Sequence, residues 1–165
     1  MSRDLDRKDV SRADAGRRSL LRLMVEGSRA LEEFLHEGLR EAGYGEVRPA
    51  HYAVFRYLGP EGSRVTELAE AAGMTKQSMG ELVDYLERCG YVERRADPRD
   101  GRAKIVVPTD KGRRGIEAAA ERIAEIEAEL AGRMGNERLE ELVGSLADLV
   151  TFLAELKDYR TGPRG

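Results

Sequence analysis

One short segment interrupts a chain whose apolar residues otherwise recur at the spacing of an α-helix. Residues 91–95 and 104–107 have the short apolar pattern of β-strands, and between them lies Asp97-Pro98-Arg99-Asp100-Gly101-Arg102, which is typical of a hairpin turn. Over most of the remaining length, apolar residues recur at spacings of three and four. The 165 residues therefore predict one mainly α-helical unit that carries a small β-hairpin.

The boundaries of the predicted helices follow from hydroxyl side chains at their starts and glycines at their ends. Ser19, Thr66, Thr75 and Thr109 each precede an apolar run, where a side-chain oxygen can accept the first unpaired N–H groups of a helix. Pro49 is tolerated in the first turn of another helix. Breaks that contain glycine follow at residues 43–45, 59–62, 73, 90 and 135.

The charge of the chain is uneven along its length. The total of 28 lysines and arginines against 31 acidic residues gives a net charge of −3, which by itself does not indicate a nucleic-acid partner. Residues 92–115, however, contain eight basic and four acidic residues, whereas residues 116–158 contain four basic and eleven acidic ones. This distribution predicts a basic lobe that faces DNA, joined to an acidic scaffold.

The single cysteine, Cys89, excludes a disulfide within the chain and favours a reducing compartment. No stretch approaches the roughly 20 apolar residues that a membrane span requires, and the charged N-terminus lacks the apolar stretch of a signal peptide. We therefore expect a cytoplasmic protein without a membrane partner.

Residues 65–82 have the pattern of a helix-turn-helix. Ala69 and Gly73 are small residues at the two places where the backbones of the helices come close, and Gly73 can adopt a positive φ in the turn. The residues predicted to fill the interior are Leu68, Ala72, Met74, Met79 and Leu82. An ordinary helical hairpin with the same small residues is the alternative.

The predicted hairpin follows the second of these helices, so its tip is a candidate for contact with a neighbouring minor groove. Arg99 and Arg102 lie at this tip, and a guanidinium enters the narrow, electronegative groove more easily than an ammonium group does. Asp97 or Asp100 either orients an arginine or serves as a turn residue. A solvated loop arginine is the alternative for Arg102.

Three stretches of the chain resemble the MarR (multiple antibiotic resistance regulator) family. They are Leu68-Ala69-Glu70-Ala71-Ala72-Gly73-Met74-Thr75-Lys76, the run from 82 to 95 with Gly90-Tyr91-Val92-Glu93-Arg94, and Asp97-Pro98-Arg99-Asp100-Gly101-Arg102-Ala103-Lys104 with Thr109. The resemblance extends over residues 19–156. It implies a winged helix-turn-helix homodimer that binds a palindromic operator in double-stranded DNA and is released by a small phenolic or lipophilic effector, or by oxidation.

The resemblance also implies the residues that contact DNA. Those at the exposed start of the recognition helix, expected in the major groove, are Thr75, Lys76, Gln77, Ser78 and Glu81. Arg102 matches the arginine of the wing tip, and Arg94, Arg99 and Lys104 complete the predicted set. Because Glu81, Asp84 and Glu87 are acidic, the later turns of this helix are expected to face away from phosphate or to pair with Arg88 and the arginines that follow.

The same resemblance predicts the organisation of the chain. We expect a mobile N-terminal arm at residues 1–17, an N-terminal dimerisation helix with its connector at 18–48, a winged helix-turn-helix lobe at 49–108, C-terminal dimerisation helices at 109–158 and a flexible tail at 159–165. The predicted dimer contacts are Leu20 and Leu23 in the first helix and, in the last helix, leucines at alternating spacings of three and four: Leu139, Leu142, Leu146, Leu149, Leu153 and Leu156.

An effector pocket is implied near Tyr44, Arg48, His51 and Tyr52, although each of these residues also fits a turn, a cap or the edge of the core. The two histidines have no partner at metal-ligand spacing, so no metal or other cofactor is expected. No catalytic signature is present, which predicts a protein other than an enzyme. Two alternatives remain: a winged helix that binds protein without specific DNA binding, and a redox-sensing regulator that uses Cys89.

Overall fold

The computed structural model describes residues 19–161, and their side chains as far as residue 156. Within these residues the elements are α1 (Leu20–Glu41), a 3₁₀ turn (Pro49–His51), α2 (Tyr52–Tyr57), α3 (Val65–Ala71), α4 (Lys76–Arg88), β1 (Val92–Asp97), β2 (Asp100–Pro108), α5 (Asp110–Met134) and α6 (Asn136–Thr161). The mainly helical fold with one β-hairpin is therefore confirmed. The predicted arm at 1–17 lies outside the described residues.

The chain divides into two compact units, one ending at Arg122 and one beginning at Ile123. The first unit thus includes the first half of α5, which the sequence analysis assigned to the C-terminal dimerisation region. The second unit contains the rest of α5, a break at Gly135 and α6. α6 continues to Thr161 and so includes residues 159–161 of the tail predicted at 159–165.

Three of the four predicted helix caps are confirmed. The hydroxyls of Ser19, Thr75 and Thr109 accept the backbone N–H groups of residues three positions later, at 3.3, 3.1 and 3.1 Å. The prediction for Thr66 was wrong, because the N-cap of α3 is Arg64, two residues earlier. Glu67, three residues after the cap, instead accepts the backbone N–H of Arg64 at 2.8 Å.

The helix-turn-helix consists of α3 and α4. Gly73 in the turn has φ 64°, which a residue with a Cβ rarely adopts, and Ala69 is 3% exposed where the two helices meet. Leu68 and Met79 are fully buried between them. These residues join a core completed by Leu39, Val47, Tyr52, Val54, Val83, Leu86, Tyr91, Val92 and Val106. The predicted turn and interior are confirmed.

The hairpin is attached to the lobe by a third extended segment. β1 and β2 pair antiparallel, with Val92 opposite Pro108 and Ala96 opposite Lys104. Ser63 exchanges two backbone hydrogen bonds with Val106, at 3.1 and 2.8 Å. Gly62 permits this approach, since a Cβ there would lie 2.6 Å from a methyl group of Val107. The base of the hairpin is therefore held against the segment that leads into α3.

Two helices expose long apolar faces. In α1 the exposed side chains are Leu20, Leu21, Leu23, Met24, Val25, Leu31 and Phe34. In α6 they are Leu142, Val143, Leu146, Val150, Phe152, Leu153 and Leu156. Faces of this extent on a single chain are typical of surfaces that bind another protein chain or a membrane. No helix of the described residues is long and apolar enough to cross a membrane.

Candidate nucleic-acid interface

The recognition helix, α4, separates its side chains into a buried and an exposed set. Met79, Val83 and Leu86 are fully buried against the rest of the lobe. The predicted DNA contacts Thr75, Lys76, Gln77, Ser78 and Glu81 are all exposed. A helix packed in this way presents the polar side of its first two turns to a partner.

Two hydrogen bonds order the exposed side chains of the recognition helix. The hydroxyl of Thr75 donates to the hydroxyl oxygen of Ser78 at 2.9 Å. The amide nitrogen of Gln77 donates to a carboxylate oxygen of Glu81 at 3.2 Å. Gln77 keeps a second amide hydrogen and its carbonyl oxygen, which are the donor and acceptor that read the major-groove edge of adenine.

Arg94 lies at the base of the hairpin and pairs with the acidic side of the recognition helix. Its guanidinium is 2.6 Å from a carboxylate oxygen of Asp84 and also forms a short ion pair with Glu87, and the arginine side chain is only 22% exposed. In the free chain Arg94 therefore holds the hairpin on the helix, and its predicted contact with DNA stays a prediction. The expected pairing of Asp84 and Glu87 with a later arginine is confirmed.

The tip of the hairpin exposes Arg99, Arg102 and Lys104. Asp97 accepts the backbone N–H of Arg99 at 2.8 Å, and Asp100 accepts that of Arg102 at 3.1 Å. Both carboxylates thus serve as turn residues. Neither of them holds the guanidinium of Arg99 or Arg102, so both side chains project from an ordered turn.

The arginine that Asp97 does hold is Arg64, a residue that the sequence analysis missed. Arg64 Nε donates to Asp97 Oδ2 at 2.7 Å, and a second guanidinium nitrogen lies 2.6 Å from the same oxygen. Asp97 is 5% exposed. The pair joins the tip of the hairpin to the start of α3. Because 33 residues separate its two members in the sequence, no local pattern predicts this contact.

We expect Asp97→Ala to loosen the hairpin tip without unfolding the lobe. The N–H of Arg99 and the guanidinium of Arg64 would lose their common acceptor, so amide hydrogen exchange at residues 98–103 should accelerate by about tenfold. Exchange measured by mass spectrometry on the α4 peptide should change little and serves as the internal control. Equal acceleration in both peptides would show that Asp97 supports the whole lobe instead.

The same contact should open in acid. The N–H of Arg99, followed by the guanidinium of Arg64, favours the ionised carboxylate and lowers the pKa of Asp97 below its usual value. Because the pKa of Asp97 is lower in the folded than in the unfolded protein, its carboxylate stabilises the fold fully at a pH above the unfolded-state pKa. This stabilisation is lost as the pH falls through the folded-state pKa. Amide hydrogen exchange at the hairpin tip should therefore accelerate in acid, and Asp97→Asn should abolish this acceleration. If the variant shows the same acceleration, a group other than Asp97 is responsible for it.

The residues predicted for an effector pocket occupy different environments. His51 is buried, its ring stacks on that of Tyr85 with centroids 4.5 Å apart, and its Nδ1 accepts the backbone N–H of Arg48 at 2.9 Å. Burial lowers the pKa of His51, which keeps the ring neutral. Tyr44 packs with its ring centroid 6.4 Å from that of Tyr91. His51 and Tyr44 thus fit the alternative readings of cap and core edge.

Tyr52 differs from the other three. It is 8% exposed, and its hydroxyl has no hydrogen-bond partner among the described residues. Burial raises its pKa to about 12. A buried hydroxyl without a hydrogen-bond partner costs free energy unless water or a ligand bonds to it. A ligand that bonds to the Tyr52 hydroxyl would remove this cost.

The described residues contain no group of histidines, cysteines and carboxylates that could hold a metal ion. The ring nitrogen Nδ1 of His36 lies 3.2 Å from the carbonyl oxygen of Val47, which gives this histidine a structural contact. Cys89 is half-buried and free, and its carbonyl accepts a hydrogen bond from Lys111 at 3.0 Å.

Comparison with known proteins agrees with this geometry. A model of the MarR family matches residues 47–103. The HTH-type transcriptional regulator YcgE of Bacillus subtilis is 33% identical over 87 residues, which are 51% of this chain and 56% of YcgE. The transcriptional regulator HosA of Escherichia coli O111:H- is 33% identical over 96 residues, which are 58% of this chain and 71% of HosA.

A solved structure has the same fold. CouR, from Rhodococcus jostii RHA1, is described as a transcriptional repressor bound to a 23-mer DNA duplex. It superposes with a TM-score of 0.68 at 24% identity, over 82% of this chain and 95% of CouR. At this identity the likeness shows that the two proteins share an architecture. The lobe that carries the helix-turn-helix and the hairpin is part of that architecture.

Proposed function

Because the chain belongs to the MarR family of transcriptional regulators, we propose that it binds a palindromic operator as a homodimer and represses transcription until a small molecule releases it. Members of this family are regulators of transcription and not enzymes. The observation that carries the proposal is one lobe that presents both the polar start of α4 and three exposed basic residues, Arg99, Arg102 and Lys104.

The proposed contact with DNA uses two parts of this lobe. The first turns of α4 enter the major groove, where Gln77 reads a base edge and Lys76 binds phosphate or guanine. The hairpin reaches the adjacent minor groove with Arg102. The repressor CouR, which shares this fold, is described as bound to a DNA duplex. This supports the same use of the lobe here.

The proposed dimer rests on the two exposed apolar faces. Leu20 and Leu23 are 57% and 53% exposed in α1, and Leu142, Leu153 and Leu156 are 45%, 53% and 57% exposed in α6. A second copy would bury them and bring two recognition helices to a palindrome, with a separation of about 34 Å, one turn of DNA. A dimer explains why apolar residues at alternating spacings of three and four remain uncovered in one chain.

The proposed effector is a small phenolic or lipophilic molecule that hydrogen-bonds the hydroxyl of Tyr52. CouR has also been solved with p-coumaroyl-CoA, which supports regulation by a ligand in this fold. We place the protein in the cytoplasm, where its single cysteine stays reduced and DNA is accessible.

Selection of duplexes from a random-sequence pool tests the proposal. We expect the protein to enrich a palindrome, and its affinity for that duplex, measured by fluorescence anisotropy, should fall steeply with salt. The slope of log affinity against log salt concentration should be about −0.9 for each phosphate contact. A shuffled duplex of equal composition is the control. No enrichment, with a flat salt response, would favour the protein-binding alternative.

A further inference from the structure

Gly80 lies in the middle of the recognition helix, where a glycine is energetically unfavourable. Its position four residues after Lys76 and three after Gln77 places it within the 13-residue span of α4. Glycine in a helix interior destabilises a protein relative to alanine, because it has more backbone freedom to lose on folding. Packing, backbone conformation or a partner can each favour a glycine at such a position.

Packing within the lobe provides no such reason. A Cβ added to Gly80 would meet no heavy atom within 4 Å, outside its own helix backbone and chain neighbours. By contrast, a Cβ at Gly62 would lie 2.6 Å from Val107, and one at Gly112 would collide with the carbonyl oxygen of Tyr91. These two glycines are explained by the fold, whereas the space beside Gly80 is empty.

Backbone conformation provides no reason either. The described glycines with positive φ lie at helix ends and turns, such as Gly73 at 64° and Gly90 at 76°, and Gly80 is not one of them. Gly80 therefore has a backbone that any L-residue can adopt. Within the described helices of the lobe, it is the glycine that neither contact nor conformation requires.

The position of Gly80 on the helix indicates what fills the empty space. Gly80 is half-buried at the border of the exposed side, at 100° per residue about 40° from exposed Lys76 and Asp84 and about 60° from fully buried Val83. Its neighbours Gln77, Glu81 and Asp84 are exposed. This side of α4 is the one that the proposed function places in the major groove.

We propose that Gly80 makes room for the DNA duplex, so that the recognition helix docks closer to the groove than any side chain at this position would allow. The inference rests on the proposed function in assigning this face to DNA. Close approach of the helix backbone brings Gln77, three residues earlier, within reach of the base edges. Gly80 is thus a positioning residue that acts by the absence of a side chain.

The proposal predicts opposite effects of one substitution on folding and on binding. In Gly80→Ala the melting temperature should rise, by roughly 1–4 °C, because the new methyl group meets open space and favours the helix. Affinity for the duplex selected by the wild-type protein should fall by about tenfold, and further in Gly80→Leu, because the side chain displaces DNA. A residue with a merely structural role would not lose affinity while it gained stability.

Gly132→Ala is the matched control, since Gly132 also lies within a helix and its Cβ position is also open. It should raise the melting temperature and leave operator affinity and dimer mass unchanged. Wild-type affinity in Gly80→Ala, a lower melting temperature in that variant, or equal losses of affinity in both variants would overturn the proposal. If the wild-type protein selects no duplex, the proposed function fails instead.

Discussion

We expect Leu153→Asp to convert the protein to monomers and to reduce operator affinity by at least about 100-fold. Leu153 is 53% exposed in the single chain, so the substitution does not disturb the packing of that chain. In the proposed dimer it would place an unpaired carboxylate in an apolar interface, which costs several kcal/mol. Monomers cannot hold two half-sites at once, and the loss of that linkage alone weakens binding by about 10²- to 10⁴-fold.

Sedimentation equilibrium measures the change in mass, and far-UV circular dichroism checks that the helices remain folded. Thr151→Asp is the matched control, because Thr151 lies in the same helix and its hydroxyl bonds the carbonyl of Ala147 on the polar side of α6. This variant should remain dimeric. A dimeric Leu153→Asp protein with wild-type stability would move the interface away from the apolar face of α6.

The second large effect is expected for Arg102→Ala, which should weaken operator binding by about 1 to 3 kcal/mol, or roughly 5- to 150-fold. The turn holds Arg102 by its backbone N–H, bonded to Asp100 at 3.1 Å, so removal of the side chain leaves the hairpin intact. The loss should be greater when the flanking duplex is A·T-rich, because its narrow minor groove attracts a guanidinium more strongly. Arg102→Lys should recover only part of the affinity.

Fluorescence anisotropy with A·T-rich and G·C-rich flanks separates this role from a general effect of charge. Arg138→Ala removes another exposed arginine, from α6 and outside the DNA-binding lobe, and should bind like the wild type. If Arg102→Ala binds with wild-type affinity on both flanks, the wing takes no part in recognition, and the start of α4 must supply the specificity alone.

Much of the fold could be predicted from short-range signals. The hydroxyls of Ser19, Thr75 and Thr109 form caps because each accepts N–H groups only three residues away. Gly73 marks the turn of the helix-turn-helix because its positive φ is a local property. The turn residues at 97–102 likewise identified the hairpin, and leucines at spacings of three and four identified the last helix.

The contacts that the sequence did not reveal are those whose partners are distant in sequence or compete for the same role. Thr66 looked like a cap, but Glu67 bonds the N–H of Arg64, and the cap lies two residues earlier than predicted. Arg94 looked like a free basic residue of the hairpin, but in the free chain its guanidinium pairs with Asp84 and Glu87. Charge is visible in a sequence, whereas its neutralisation depends on which side chains the fold brings together.

Caps, turns and apolar spacing act over a few residues, so the mainly helical architecture with its hairpin, the helix-turn-helix and the resemblance to the family could be predicted from local patterns. Four further properties depend on the folded chain: Asp97 holds Arg64, Arg94 pairs with Asp84 and Glu87, the buried hydroxyl of Tyr52 has no partner among the described residues, and the space beside Gly80 is open. These properties arise from contacts, or missing contacts, between segments that meet only when the chain has folded.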